Sequence, residues 1–350
     1  MSATLSRRFL LEDRGQTREL GAYVIDVVFD RGGTAAFALG DGTVRIATGA
    51  AIGAAIGAEW ATVEAHDGAV LSMAAGVRGG WVTGGDDGRF RRVTGDGEVS
   101  DIARFGSKWV EQVASWSDAK GGVVACAVGK AAHLFDAGGT VLKVLQHPST
   151  VTGLAFDGKG KRIAASHYNG CSLWFVGAKT DSPRFMEWKG SHTGVILHPA
   201  AEAVVTSMQE NALHGWRLSD GQHMRMSGYP TKTASMSFSR NGKWLASSGA
   251  ESVVLWPFFG GGPMGKAPLE LAGGDGVTCT QVACHPSHDM VAAGFSDGLV
   301  ALADISSERI IPVAPPGHGP VSALGWSADG AFLAMGTETG FAALVDFTPR

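Results

Sequence analysis

The chain has 350 residues, 45% of them hydrophobic and 18% charged, with 51 glycines, 13 prolines and a formal net charge of −4. That composition excludes a disordered chain, and the lack of a basic excess argues against nucleic acid as the main partner. Four scattered cysteines, no signal-like apolar start and no run near the ~20 apolar residues of a membrane span predict a reduced, cytoplasmic protein.

The N-terminal segment 1–20 holds the apolar stretch SRRFLL (6–11), which reads as a strand without a unit of its own. Then a pattern begins that repeats to the end. In the first unit a strand ends at Phe29-Asp30-Arg31-Gly32, a tight turn Gly40-Asp41-Gly42 follows, a third strand carries Ala47, and residues 60–63 form an outer strand. Residues 51–58, AIGAAIGA, lie between and are apolar but too short and glycine-broken for a membrane span. The later units place Val93, Phe135, Trp174, Trp216, Trp256, Ala303 and Val345 where the first has Ala47, at intervals of 46, 42, 39, 42, 40, 47 and 42. Equivalent first strands end at Trp116, Phe156, His198, Phe238, His285 and Trp326, and outer strands lie at 99–103, 141–145, 184–188, 224–226, 269–271 and 310–313. Turns such as Asp87-Gly88, Asn169-Gly170 and Asp297-Gly298 supply the positive φ that a two-residue hairpin needs. The third unit, 110–136, has the poorest turns. No helical period is present.

Eight units of four short strands cannot each bury two faces, so neighbouring sheets must pack in a ring. The units resemble WD40 repeats, in which a Gly-His pair precedes the first strand and a Trp-Asp pair ends the third. Gly317-His318 keeps the first pair; Trp174, Trp216 and Trp256 keep the Trp, and Phe135-Asp136, Ala303-Asp304 and Val345-Asp346 keep the Asp. The resemblance implies one all-β propeller over 1–350, eight-bladed with seven blades as the alternative. The last unit lacks an outer strand, and segment 1–20, through 6–11, is expected to supply it and remove an open edge.

The resemblance also implies a usual docking face, the top, with Trp109, His167, Tyr168, Asn169, Gln209, Glu210, Asn211, Tyr229, Phe295 and Glu338 as candidate contacts. It implies structural roles for His66, Asp87, His147, Trp174, Trp216, Trp256, Asp297 and His318, with His66 bonding Thr83 and Asp86 or Asp87, and His318 bonding Thr337. A second candidate comes from the residues themselves. After Trp256 the chain runs through PFFGGGPMGKAP (257–268), which offers Phe258, Phe259 and Met264 either to a partner or as a flap over its own strands.

Cys279, Cys284, His285 and His288 have zinc-compatible chemistry, but their spacing follows the repeat, so buried thiols and a turn histidine are the simpler account. No nucleophile elbow, phosphate loop or His-Glu-x-x-His motif occurs, and the inner strands carry few carboxylates, Asp26 among them. The expectation is a non-enzymatic protein or peptide scaffold, monomeric on its own, without cofactor, metal, nucleic acid or membrane. The alternative is a propeller enzyme, or a small-molecule or metal-binding accessory protein using the channel or surface histidines. The Ala/Gly-rich usage suggests a bacterial source.

Overall fold

Tight turns closed by glycine and asparagine at positive φ set the pattern of the backbone. At Gly42 φ is 89°, and a Cβ there would stand 2.1 Å from the Gly68 carbonyl oxygen, so the first turn admits no side chain. In a computed structural model, which describes residues 8–47 and 60–349, nearly every element is a short antiparallel strand. The apolar segment 51–58 lies outside the described residues. No helix among the described residues is long and apolar enough to cross a membrane.

All eight sequence units are present as consecutive sets of strands. The residues equivalent to Trp256 are all buried on their third strands, from Ala47 and Val345 at 0% exposure to Trp256 itself at 9%. Their side chains fill the space between neighbouring sheets. One cluster joins Phe37, Leu39 and Trp60 of the first unit to Ala334, Ala342 and Leu344 of the last, with Phe37 stacked on Trp60 at 4.8 Å. Each fully buried Leu or Phe of this kind contributes about 1.5–3 kcal/mol. The alanines let the sheets approach closely.

Counted by hydrogen-bonded sheets, the propeller has seven blades, the alternative count, rather than eight. Six sheets have four strands and one has six. The difference lies in the fourth and fifth units, which run together through Arg162–Phe175, folded back at Asn169 (φ 66°) so that the Val176 N–H donates to Lys161 O at 2.9 Å, and Arg184–Leu197. Elsewhere a loop separates an outer strand from the next inner one, as between Ala61–Glu64 and Val70–Ala75. Here Tyr168 pairs with Ser191, and the Asn169 side chain accepts the Gly190 N–H at 3.1 Å, so pairing continues across the junction. The register break at His192/Gly194 matches those at Val24/Asp26 and Val70/Ser72 on other innermost strands. The third unit, despite its poor turns, forms a complete four-stranded sheet. Asp118 rescues its first turn by accepting the N–H groups of Lys120 and Gly121.

The N-terminal segment closes the ring on the last unit as expected, but through a different strand within it. Gly15–Glu19, not 6–11, pairs antiparallel with Phe341–Asp346, from Gly15↔Val345 to Glu19↔Phe341. Leu10 and Leu11 of the expected strand belong to a five-residue helical turn, Leu10–Arg14, and Ser6 and Arg7 lie outside the described residues. The buried Leu11 plugs the cluster containing Val313, Phe341 and Val345. Arg14 then donates to the carbonyl of Thr348 at 3.1 Å, tying the first strand to the last.

Around the axis, hydroxyls join neighbouring innermost strands. Thr152 donates to His192 O at 2.5 Å, Thr280 to Val321 O at 2.6 Å and Ser322 to Val24 O at 2.6 Å. Ser72 accepts the Val113 N–H and Ser235 donates to Val282 O. These contacts hold the ring rigid where side chains are smallest.

Candidate functional site

Because strands alternate in direction, each unit's first-to-second turn and third-to-outer turn lie at one end of the ring, here the bottom. The first-to-second turns are interlocked there. Trp116 Nε1 donates to Gly158 O at 3.2 Å, His198 Nε2 to Gly242 O at 3.0 Å and His285 Nε2 to Gly330 O at 3.2 Å, each joining one unit to the next. At Gly242, with φ 70°, a Cβ would come within 2.2 Å of His198 Nε2, so this joint requires glycine.

The loop 257–268 folds over this end. Phe258 is buried, set edge-on to Phe238 at 5.0 Å, and its N–H donates to Lys243 O at 2.7 Å. Its ring packs in the core, because the strand exit turns it inward between the fifth and sixth units. Phe259 and Met264 face outward at 46% and 49% exposure. The loop is nevertheless fixed. Lys266 Nζ donates to Gly262 O at 2.9 Å and also to Phe259 O, and stands 4.7 Å over the Phe259 ring. Arg217 Nη1 reaches Gly261 O at 3.4 Å, and Gly262 packs against the Met224 sulfur.

Beneath the loop is a cavity of about 240 Å³ lined by His198, Glu202, Arg217, Lys243 and residues 258–262. A second hollow of about 490 Å³, lined by Arg162, Ala201, Glu202, Arg217 and Leu218, shares Glu202 and Arg217 with the first. The two make one groove across units four to six. The Arg217 guanidinium grips Asp220 and holds its carboxyl at about 2. Arg162 lies 3.8 Å from buried Asp157 and packs over Phe175. The sequence reading found the loop but missed this cationic floor. The tips DGKGKR (157–162) and SRNGK (239–243) carried the signal.

The top-face candidates divide. Trp109 and Tyr168 are exposed at 55% and 56%. Gln209, Glu210 and Glu338 are exposed as well. Several are engaged: Glu210 accepts the Ser191 N–H, Asn211 donates to Pro230 O, and Glu338 lies against the Tyr23 phenol, whose pKa burial and then that carboxylate raise. His167, Tyr229 and Phe295, expected on that face, are buried instead. His167 bonds Ser172 Oγ at 2.7 Å; Phe295 closes the cluster around Cys279 and Val291.

The remaining candidates lie in packing and turns. His66 contacts Asp87 Oδ1 and Thr83 Oγ1, both at 2.9 Å. Burial lowers its pKa, although Asp87 pulls the other way. His147 accepts the Trp174 indole N–H at 3.0 Å, and burial pushes its pKa down to about 4. Trp216 is buried with its N–H unpartnered, and Asp297 accepts the Leu299 N–H. His318 departs from expectation: it stacks on Phe341 at 3.7 Å, while the Thr337 hydroxyl accepts the Phe341 N–H instead. Cys279 and Cys284 contact the carbonyls of Gln281 and Ser237, and burial raises both thiols to about 12. Among the described residues no three His, Cys, Asp or Glu side chains gather as a metal would require.

A family model described as the anaphase-promoting complex subunit 4 WD40 domain matches residues 282–349. Over 125 residues the chain is 30% identical to the serine-threonine kinase receptor-associated protein of Dictyostelium discoideum, covering 36% of this chain and 40% of that relative. The chain thus matches about two fifths of that relative's length. A crystal structure of the computationally designed Ika8 protein superposes with a TM-score of 0.73 at 16% identity, over 93% of this chain and 97% of that one. A chain from a crystal structure of the mitotic checkpoint complex superposes at 0.65 and 13% identity, with both chains covered completely. At such identities the two structures speak to the fold alone.

Proposed function

The chain belongs to the WD40-repeat β-propeller family, and from that premise we propose that it is a non-enzymatic platform that binds a protein or peptide partner through its bottom groove and the loop 257–268. The observation that carries this reading is the pairing of exposure with rigidity. Phe259 and Met264 stand in solvent, yet the backbone bearing them is tied down by Lys266, Arg217 and the buried Phe258. Exposed aromatic and Met side chains are enriched in interfaces, and a loop already ordered loses little entropy on binding. Trp109 and Tyr168 on the top face would serve a second partner.

Affinity capture from cells of the source organism tests this, using the wild type, Phe259→Ser/Met264→Ser and Trp109→Ala/Tyr168→Ala. Loss of specific partners by the loop variant alone is the expected result. An unchanged partner set in the loop variant would remove the loop and groove from the proposal.

A channel-centred reading draws support from one residue. Asp26, on the innermost strand Val24–Phe29, keeps slight solvent contact, yet burial lifts its carboxyl to about 7 against bonds from the Val27 and Met73 N–H groups. A carboxyl that holds its proton near neutrality is a feature of many ligand sites, as it is of many strained cores. Titration of the purified protein with divalent metals and small sugars, followed by thermal shift, separates the two.

A further inference from the structure

We infer that the groove across units four to six receives a short, extended, acidic segment of a partner protein. This rests on the platform reading above and names the chemistry of what the platform holds. Lys243 lines the groove, Arg184 and Lys266 bond to carbonyls of its lining residues Leu218 and Gly262, and Lys159, Lys161 and Arg240 lie on the bottom-end turns of the fourth and sixth units. Among the described residues none of these six takes part in an ion pair within 4.0 Å, the distance at which Arg217, Arg162 and Lys143 do. Three are instead bound to carbonyls: Arg184 to Leu218 O at 2.6 Å, Arg240 to Pro286 O at 3.2 Å and Lys266 to Gly262 O at 2.9 Å. A carbonyl positions a cation without cancelling its charge, so the field of the groove stays positive.

Two acids of the same turns are already used, while Glu202 stands beside Arg217 in the lining of both hollows. Asp157 caps its own turn through the Lys161 N–H, and Asp220 is gripped by Arg217. The groove also has the shape of a chain. Two hollows sharing Glu202 and Arg217 form a track, and Phe259 and Met264 at one end offer an apolar anchor point. The chain as a whole carries a formal charge of −4, so this positive field is local and a long polyanion would be repelled beyond it. Base stacking is poorly served as well. One face of the Phe259 ring is covered by Lys266, and its edge meets Trp244 at 5.4 Å.

Fluorescence anisotropy with the full chain tests the inference. The probes are a short labelled Glu/Asp-rich peptide with one central Leu, its Lys/Arg-rich counterpart, and oligothymidylate of equal length, each at low and physiological ionic strength. The acidic peptide should bind best and weaken with salt. Arg240→Glu/Lys243→Glu should weaken it by at least about tenfold, whereas Lys108→Glu/Lys130→Glu on the top face should change it by less than about twofold. All four side chains are exposed, and unchanged melting curves verify that the variants fold. No peptide binding by the wild type, equal losses in both variants, or tighter binding of oligothymidylate would each overturn the inference. If the acidic peptide fails while Phe259→Ser/Met264→Ser still loses its captured partners, the charge assignment falls and the platform stands. Capture indifferent to that variant removes the platform itself.

Discussion

The Trp256 indole N–H donates to the Tyr229 hydroxyl at 2.6 Å, and that hydroxyl meets Ser247 Oγ at 2.6 Å. This buried triad makes Tyr229, one of the two tyrosines expected on a docking face, a structural member of the sixth unit. Tyr229→Phe should therefore leave partner binding intact and strand the indole donor. The cost is about 1–2 kcal/mol, read as a lower denaturant midpoint at unchanged slope.

Adjacent phenylalanines of the loop should behave oppositely. Phe258 is buried among Tyr229, Leu245 and Trp256, so Phe258→Ala should cost about 3 kcal/mol of stability. Phe259→Ser loses an exposed ring with its contacts to Lys266 and Trp244, about 0.5–1 kcal/mol, but should abolish partner capture. Parallel urea titrations and capture experiments decide this.

Buried neutral histidines should make the fold acid-sensitive. Burial holds His147 at about 4 and His214 at about 3, below the ordinary value of about 6.5 that each regains on unfolding. The unfolded chain then binds more protons at acid pH, so stability is complete above about pH 6.5 and is lost as pH falls toward 4. Protonated His147 could no longer accept the Trp174 N–H. Each histidine should cost on the order of 1 kcal/mol at pH 5.5, checked by urea midpoints from pH 7.5 downward.

Asp26 should act with the opposite sign. Its carboxyl sits at about 7 in the fold against an unfolded value near 3.8, so its favourable contribution is full below 3.8 and is lost as pH rises through 7. Asp26→Asn keeps an acceptor for the Val27 N–H and carries no charge. It should be stabilising by about 1–2 kcal/mol at pH 8 and near neutral at pH 4. Equal effects at both values would show that desolvation of the carboxylate is not the cause.

Closure by the N-terminal strand should be separable from the apolar plug. Leu11→Ala removes a buried side chain beside Val345 but leaves the Gly15–Glu19 pairing, and should cost about 2–3 kcal/mol. Removing residues 1–19 frees the Phe341–Asp346 edge and should produce aggregation, visible by light scattering.

The repeat was legible because its signal is burial at a fixed spacing. Ala47, Val93, Phe135 and the three tryptophans share no single residue type, yet each is apolar and preceded by a turn that only glycine, asparagine or aspartate suits. The closing strand was not legible for the reverse reason. Gly15–Glu19 reads GQTRE and is half exposed, since its stability comes from backbone pairing with Phe341–Asp346, which leaves no mark on composition. The apolar 6–11 stretch drew attention instead, and its Leu11 proved to be a plug.

The sequence by itself determined the four-stranded unit, its phase and the anomaly at 257–268, because local turn chemistry and alternation of burial act over a few residues. Only the tertiary structure decided which of Phe258 and Phe259 faces in, that Tyr229, His167 and Phe295 are buried, and that the fourth and fifth units share one sheet. It also brought Arg162, Glu202, Arg217 and Lys243, far apart in the chain, to one groove. Those outcomes depend on how neighbouring units dock around the ring, and docking is set by shape and charge between segments that the sequence keeps apart.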